Sequence, residues 1–326
     1  MHGIPETLLQ QARRPGAPGV QGMAKLMTLL ENDPRVYLEF LQKTGVATGP
    51  RFILGITGAP GSGKSTLTDA LLTEYRKRSP EMRLGVIAVD PSSPFSGGAV
   101  LADRVRMMQH AVDPLIFIRS LASRGHLGGL ALGVKSILGV MAWAGIDLVI
   151  IETVGVGQNE IDIVRIADEV AVVLAPGNGD AMQLLKAGLM EIGDFIVINK
   201  ADRPGAEELH AEVLAALQLE EKNPPRPVAL VSAVERKGIP GFIDHVEERI
   251  TATSARRADD RKTRYAQNIR QFLLEIATTC LATTLDTDPA LQSALKEITE
   301  GRNSNWDTTI QTLLRTAAEQ KSGQGS

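Results

Sequence analysis

The sequence predicts an α/β fold: a mostly parallel sheet covered by helices on both faces, with helical extensions at its N- and C-terminal ends. Three observations lead there. From Phe52 to about Ile250, apolar runs of strand length alternate with helical patterns, the order expected of strands joined by crossover helices. Between the first run and the first helical pattern stands Gly58-Ala59-Pro60-Gly61-Ser62-Gly63-Lys64-Ser65-Thr66, which fits G-x-x-x-x-G-K-[ST] at every defined position. Further polar, glycine-rich segments follow later runs, at the carboxyl ends of strands, where open sheets of this kind bind ligands.

Residues 1 to about 50 are expected to form a helical arm. A Gly/Pro-rich patch from Pro15 to Gly19 precedes apolar residues at helical spacing, Met23, Leu26, Met27, Leu29 and Leu30, and a second short helix is expected from Pro34 to Gln42. The central domain, 51–250, offers candidate strands at 51–57, 84–89, 115–119, 147–152, 169–174, 194–199 and 227–231. Beyond Ile250, Thr251 to Asp260 reads as a polar, basic linker. It leads into an amphipathic helix from Tyr265 to about Leu285, a further helix from Trp306 to Ala318, and a tail from Lys321 expected to be disordered. The extension 251–326 is expected to pack either on its own domain or on a second subunit, the second being the preferred reading.

Composition sets outer bounds. With 326 residues, 43% hydrophobic and 22% charged, the chain is expected to build a folded core. A net charge of −3 gives no field to hold a nucleic-acid backbone or an anionic membrane, so neither is an expected partner. The N-terminus lacks the apolar centre of a signal peptide and the apolar runs fall short of a membrane span, which points to a cytoplasmic protein. The single cysteine, Cys280, lies in an apolar helical pattern and reads as a core thiol. The five histidines lack metal-ligand spacing, and no structural zinc is expected.

The glycine-rich turn is a phosphate-binding loop, or P-loop. Its glycines let backbone N–H groups face an anionic phosphate, and the following helix adds its positive end. Lys64 would reach the β- and γ-phosphates, the Ser65 hydroxyl would ligate Mg2+, and the Thr66 hydroxyl would lie near the α-phosphate. After the second strand, Asp90-Pro91-Ser92-Ser93-Pro94-Phe95-Ser96-Gly97-Gly98-Ala99, with Asp103 beyond it, has the composition of a nucleotide-sensing switch, and Asp90 and Asp103 can both approach the cation. The strand ending in Glu152 leads into Thr153-Val154-Gly155-Val156-Gly157-Gln158. Here the carboxylate would orient Mg2+ or its water and the Gly155 N–H would meet the γ-phosphate. A third candidate mobile segment runs from Ala175 through Asp180 and Gln183 to Lys186.

Base identity rests on Asn199-Lys200-Ala201-Asp202. Asp202 can accept from both N1–H and the exocyclic amine of guanine, a donor pair adenine lacks. Asn199 is expected at the other purine edge, the Lys200 stem over the ring, and a backbone N–H of Ser232-Ala233-Val234 at guanine O6. GTP is therefore expected over ATP.

Together, Gly58 to Thr66, Val89 to Pro94, Ser123 to Gly129, Glu152 to Gln158 and Asn199 to Asp202 resemble the MeaB/ArgK-type GTPases, chaperones of adenosylcobalamin-dependent acyl-CoA mutases. The resemblance is close over 50 to 250 and looser at the ends. It implies a P-loop GTPase domain and a homodimer built through the terminal helices. It further implies slow intrinsic GTP hydrolysis raised by the mutase, and control of adenosylcobalamin loading. Asp90, Asp103 and Glu152 match the family's Mg2+-associated carboxylates, and Lys186 a lysine linked to stimulated hydrolysis. This sequence departs from the family pattern in an N-terminal arm without a basic helix and in the variant segment Asn178 to Met182. Methylmalonyl-CoA mutase is the default client, with isobutyryl- and 2-hydroxyisobutyryl-CoA mutase as alternatives. The rival readings are a nickel-delivery GTPase, which would need a His-rich tract or Cys/His cluster, a kinase or transport ATPase, which has no use for Asn199 to Asp202, and a non-hydrolysing nucleotide-bound scaffold.

Overall fold

The computed structural model describes residues 3–14, 16–32, 34–45, 50–91, 108–110, 112–123, 129–153, 163–164, 166–177, 192–218, 226–300 and 306–322. Its centre is a seven-stranded sheet of β1 (Phe52–Gly58), β2 (Leu84–Pro91), β3 (Ile116–Ser123), β4 (Leu148–Glu152), β5 (Glu169–Leu174), β6 (Phe195–Ile198) and β7 (Val228–Leu230). The order is β3-β2-β4-β1-β5-β6-β7, and every pairing is parallel. The strands stand where the apolar runs place them, except that β3 continues four residues past its expected end. Polar Arg119, Ser120 and Ser123 end the apolar run, but β2 goes on pairing with it through Asp90↔Ala122 and Pro91↔Ser123.

Both faces of the sheet are buried, which is why these strands read as continuous apolar runs. Alternate residues serve opposite cores. Ala171, Val173, Phe195 and Val197 join one core with Leu67, Leu71 and Tyr75 of α4 (Lys64–Arg78). Val172, Leu174, Ile196 and Ile198 join the other with Leu209, Val213 and Leu217, which belong to a helix over Ala206–Gln218.

The N-terminal helices are α1 (Glu6–Ala12), α2 (Ala17–Asn32) and α3 (Pro34–Thr44). The sequence reading misses α1 and starts α2 too late, because the Gly/Pro-rich patch looks like a break. Gly16 does turn left-handed, at φ +81. Pro18 then falls in the first turn of α2, where its missing N–H has no helical partner to lose. Helices α2 and α3 pack on α5 (Gly129–Trp143): within α3 Tyr37 stacks on Phe40 at 5.8 Å, and Phe40 meets Trp143 of α5 edge to face at 5.5 Å. The helix over Ala206–Gln218 is α6.

The expected linker at 251–260 lies inside a helix, α7 (Ile239–Thr287). From Phe242 to Thr287 the chain contains no glycine or proline, so nothing in its backbone chemistry ends the helix. Asp288 then starts α8 (Pro289–Thr299), its carboxylate accepting from the amides of Ala290 at 2.9 Å and Leu291 at 3.0 Å. Helix α9 (Trp306–Ser322) runs four residues past its expected end, so the first two residues of the expected tail are helical. The chain divides into two units, Met1–Lys262 and Thr263–Ser326. No helix among the described residues is long and apolar enough to cross a membrane.

Candidate nucleotide site

Strand β1 delivers the chain into the phosphate loop at a position only glycine tolerates. Gly58 has φ +140, and a Cβ there would lie 2.1 Å from the carbonyl oxygen of Val173 on neighbouring β5. At the far end Gly63 is left-handed at φ +92 and starts α4. A Cβ on it would lie 2.4 Å from the Asn199 amide nitrogen. Directly after it Lys64, 7% exposed, folds back so that its Nζ donates to the carbonyls of Gly58 at 2.9 Å and Ala59 at 3.0 Å.

The first turns of α4 face the end of β4. The Ser65 hydroxyl donates to Glu152 Oε1 at 2.5 Å, and Thr68, one turn further, donates to Oε2 at 3.1 Å. Glu152 is 5% exposed, so these are interior contacts with a carboxylate, the stronger class of hydrogen bond. The residue after it is anchored too. The Thr153 N–H donates to Ile56 O at 3.1 Å, and its hydroxyl to Thr57 Oγ1 at 2.9 Å.

The residues expected from the sequence to contact the base follow the ends of β6 and β7. Where the sequence places Asn199 at the purine, the structure uses both ends of its amide within the protein. Nδ2 donates to Ser62 O at 3.0 Å and Gly63 O at 3.3 Å, while Oδ1 accepts from the Ala233 N–H at 3.1 Å. Asn199 thereby braces the phosphate loop against the segment after β7. Lys200, left-handed at φ +63, donates from Nζ to Gly61 O at 2.6 Å. The Ser232 hydroxyl donates to Asp202 Oδ1 at 2.6 Å and accepts from the Glu235 N–H at 3.2 Å. The Ser232 bond, with the Asp202 backbone amide and the nearby Arg203 and Lys200 cations, holds the Asp202 carboxyl below the usual carboxylate range. Of the three amides expected near a purine oxygen, those of Ser232 and Ala233 serve Lys237 O and Asn199 Oδ1. Val234, 76% exposed, is the one of the three that lines the cavity.

One cavity of about 520 Å3 brings Lys64, Ser65, Thr66, Glu152, Lys200 and Asp202 together, within the size range of small-molecule sites. Gly58, Ala59, Ser62, Asn199, Ser232 and Ala233 are buried and are not among its lining residues. Sequence reasoning did not single out Thr68, Thr153 or Arg203 as site residues. Thr68 had a usable signal, its i, i+3 spacing from Ser65 on one helix; Arg203 reaches the cavity through the turn after Asp202 and had none. Gly155, Gln158, Asp103 and Lys186, with most of the segment 175–186, lie outside the described residues, as does the side chain of Asp90. Among the described residues, no group of His, Cys, Asp and Glu forms a metal cluster.

A parallel sheet in this order, with a phosphate loop after β1 and the Asn199-Lys200-Ala201-Asp202 segment after β6, has the architecture of a P-loop GTPase. Residues 23–290 match the model of the methylmalonyl-CoA mutase-associated GTPase MeaB family, and the chain belongs to that family. A provisionally named GTPase of Pyrococcus abyssi is 46% identical over 257 residues, 77% of this chain and 79% of that protein. The GTPase ArgK of Escherichia coli is 37% identical over 243 residues, 72% of this chain and 73% of that protein. Among solved structures, one titled LAO/AO transport system kinase superposes with a TM-score of 0.66 at 27% identity, covering 98% of this chain and 99% of that one.

Proposed function

We propose that the chain hydrolyses GTP to GDP and phosphate, and that its nucleotide state controls adenosylcobalamin loading and protection of a partner acyl-CoA mutase. The observation that carries this reading is one cavity joining a buried phosphate-loop lysine and a hydroxyl–carboxylate pair to a guanine-reading aspartate. The family's own description, with its mutase association, supports the choice of client.

Hydrolysis forms a bond from a water oxygen to the γ-phosphorus and breaks the bond to the β–γ bridging oxygen, so negative charge gathers on the oxygens of the transferred group. Lys64, released from the Gly58 and Ala59 carbonyls, stabilises that charge together with backbone amides of the loop. The Ser65 hydroxyl and Glu152 carboxylate are buried, hard oxygen donors in contact, a donor set that fits Mg2+. They would hold it with Asp90 and Asp103, and when bound there it neutralises phosphate charge. Asp202 reads guanine, the Val234 amide is assigned to guanine O6, and Arg203 adds a cation at the same wall. Lys186 is assigned to stimulated hydrolysis.

The domain plan is a helical arm at 1–50, the GTPase domain at 51–250 and a dimerising extension at 251–326, in a cytoplasmic homodimer. Exposed Leu273 and Leu274 on α7, and Ile310 and Leu314 on α9, supply apolar surface for the second copy. The deciding experiment is phosphate release from GTP by the purified protein, alone and with candidate acyl-CoA mutases added one at a time. Stimulation by one mutase, absent in Lys64→Ala, supports both the activity and the client. Tight GTP binding without turnover would establish the scaffold reading instead.

A further inference from the structure

P-loop NTPases ordinarily end this strand in an aspartate associated with Mg2+, whereas this chain has Glu152, and the extra methylene changes what the site needs. A glutamate has one more rotatable bond, and rotation about its last torsion is broad, so a carboxylate held through one oxygen can still turn about that anchor. Here each oxygen has its own hydroxyl: Ser65 on Oε1 at 2.5 Å and Thr68 on Oε2 at 3.1 Å. The two donors sit three residues apart on α4, on one helix face, and Thr68 is fully buried. Thr68 does not line the nucleotide cavity, so it acts on the ligand indirectly, and Glu152 is the cavity-lining carboxylate that its hydroxyl touches.

The Thr68 hydroxyl also lies 3.1 Å from the carbonyl oxygen of Lys64. With one proton it favours the charged acceptor, and the carbonyl keeps the same rotamer occupied if the carboxylate moves. The hydroxyl is thus held in place before Glu152 arrives.

We propose that Thr68 is a positioning residue that locks Glu152 for the nucleotide-associated cation, a task created by the glutamate at this position. The proposal rests on the GTPase reading above. Lock and loop are rigidly connected: Ser65, Thr68 and the loop lysine share the first turns of α4, so Glu152 is referred to the phosphate loop rather than only to its own strand.

The test is the release of fluorescent GDP from the full chain across a Mg2+ titration, for wild type, Thr68→Val, Thr68→Ser and each in a Glu152→Asp background. Loss of one hydrogen bond corresponds to about a fivefold change. Thr68→Val should therefore raise the Mg2+ concentration at half-effect about fivefold, with Thr68→Ser within about twofold of wild type. GDP affinity in excess chelator should be unchanged in both. In the Glu152→Asp background, Thr68→Val should add nothing, because the shorter carboxylate no longer reaches Thr68. If Thr68→Val fails to fold, Thr68→Ala carries the same expectations. An unmoved midpoint in the valine variant, an equal shift in the serine variant, or an undiminished effect in the aspartate background would each overturn the proposal while leaving the GTPase reading intact. Failure of the wild type to bind fluorescent GDP at all would overturn that reading, and the proposal with it.

Discussion

In the proposed reading, base choice rests on one carboxylate, Asp202. Its two oxygens accept, so a base must present two donors, and guanine does so with N1–H and its exocyclic amine. Asp202→Asn replaces one acceptor with a donor. GTP affinity should fall about a hundredfold, since a hydrogen bond to a charged group contributes about 1.5–3 kcal/mol. Xanthosine triphosphate, which offers a carbonyl where guanine has the amine, should bind the variant better than GTP does; competition against fluorescent GDP measures both. The pH dependence follows from the depressed pKa, whose first cause is the Ser232 hydroxyl. A carboxyl depressed in the folded state contributes above its unfolded pKa of about 3.9, and the contribution is lost as pH falls through the lower folded value. Guanine binding should therefore stay flat from neutral pH down to the ordinary carboxylate range, and Ser232→Ala should move the acid fall-off upward. Lys64→Ala should lower the hydrolysis rate a hundredfold or more, the scale of removing one preorganised charge-stabilising donor, measured as phosphate release at saturating GTP.

At the scale of elements, the phosphate loop is placed by the strands around it. Gly58 lies where β1 and β5 run so close that a methyl group would strike the Val173 carbonyl. Gly58→Ala should destabilise the fold by about 3 kcal/mol and abolish nucleotide binding, because backbone must move to relieve the clash. Denaturant unfolding and fluorescent-GDP binding read the two effects separately. Phe40 of α3 is fully buried between Tyr37 and Trp143 of α5. Phe40→Ala should lower stability by about 3 kcal/mol in the same unfolding assay, with GDP affinity retained, since the aromatic cluster lies apart from the cavity-lining residues.

At the scale of the whole molecule, the proposed output is conformational. Leu273, Leu274, Ile310 and Leu314 are 49–55% exposed, apolar surface that a second copy would cover. Sedimentation should give a dimer for the intact chain, and Leu273→Glu combined with Leu314→Glu should shift it toward monomer without changing GDP affinity. A dimeric variant that remained fully associated would place the interface elsewhere.

Much of this was determined by the sequence alone. Apolar runs located the strands because both faces of a parallel sheet are buried, and the phosphate loop and Asn199 to Asp202 were legible because their chemistry is carried by contiguous residues at fixed spacing. Helix boundaries were less so: a proline in the first turn of α2 looked like a break, and a polar stretch of α7 looked like a linker, since composition reports solvent exposure more directly than backbone conformation. Only the tertiary structure decided that Asn199 braces the phosphate loop, that Ser232 depresses the Asp202 carboxyl, and that Thr68 reaches Glu152. Each of these joins residues 30 or more positions apart in the chain, and no local pattern encodes a hydrogen bond whose partners meet only when the sheet closes.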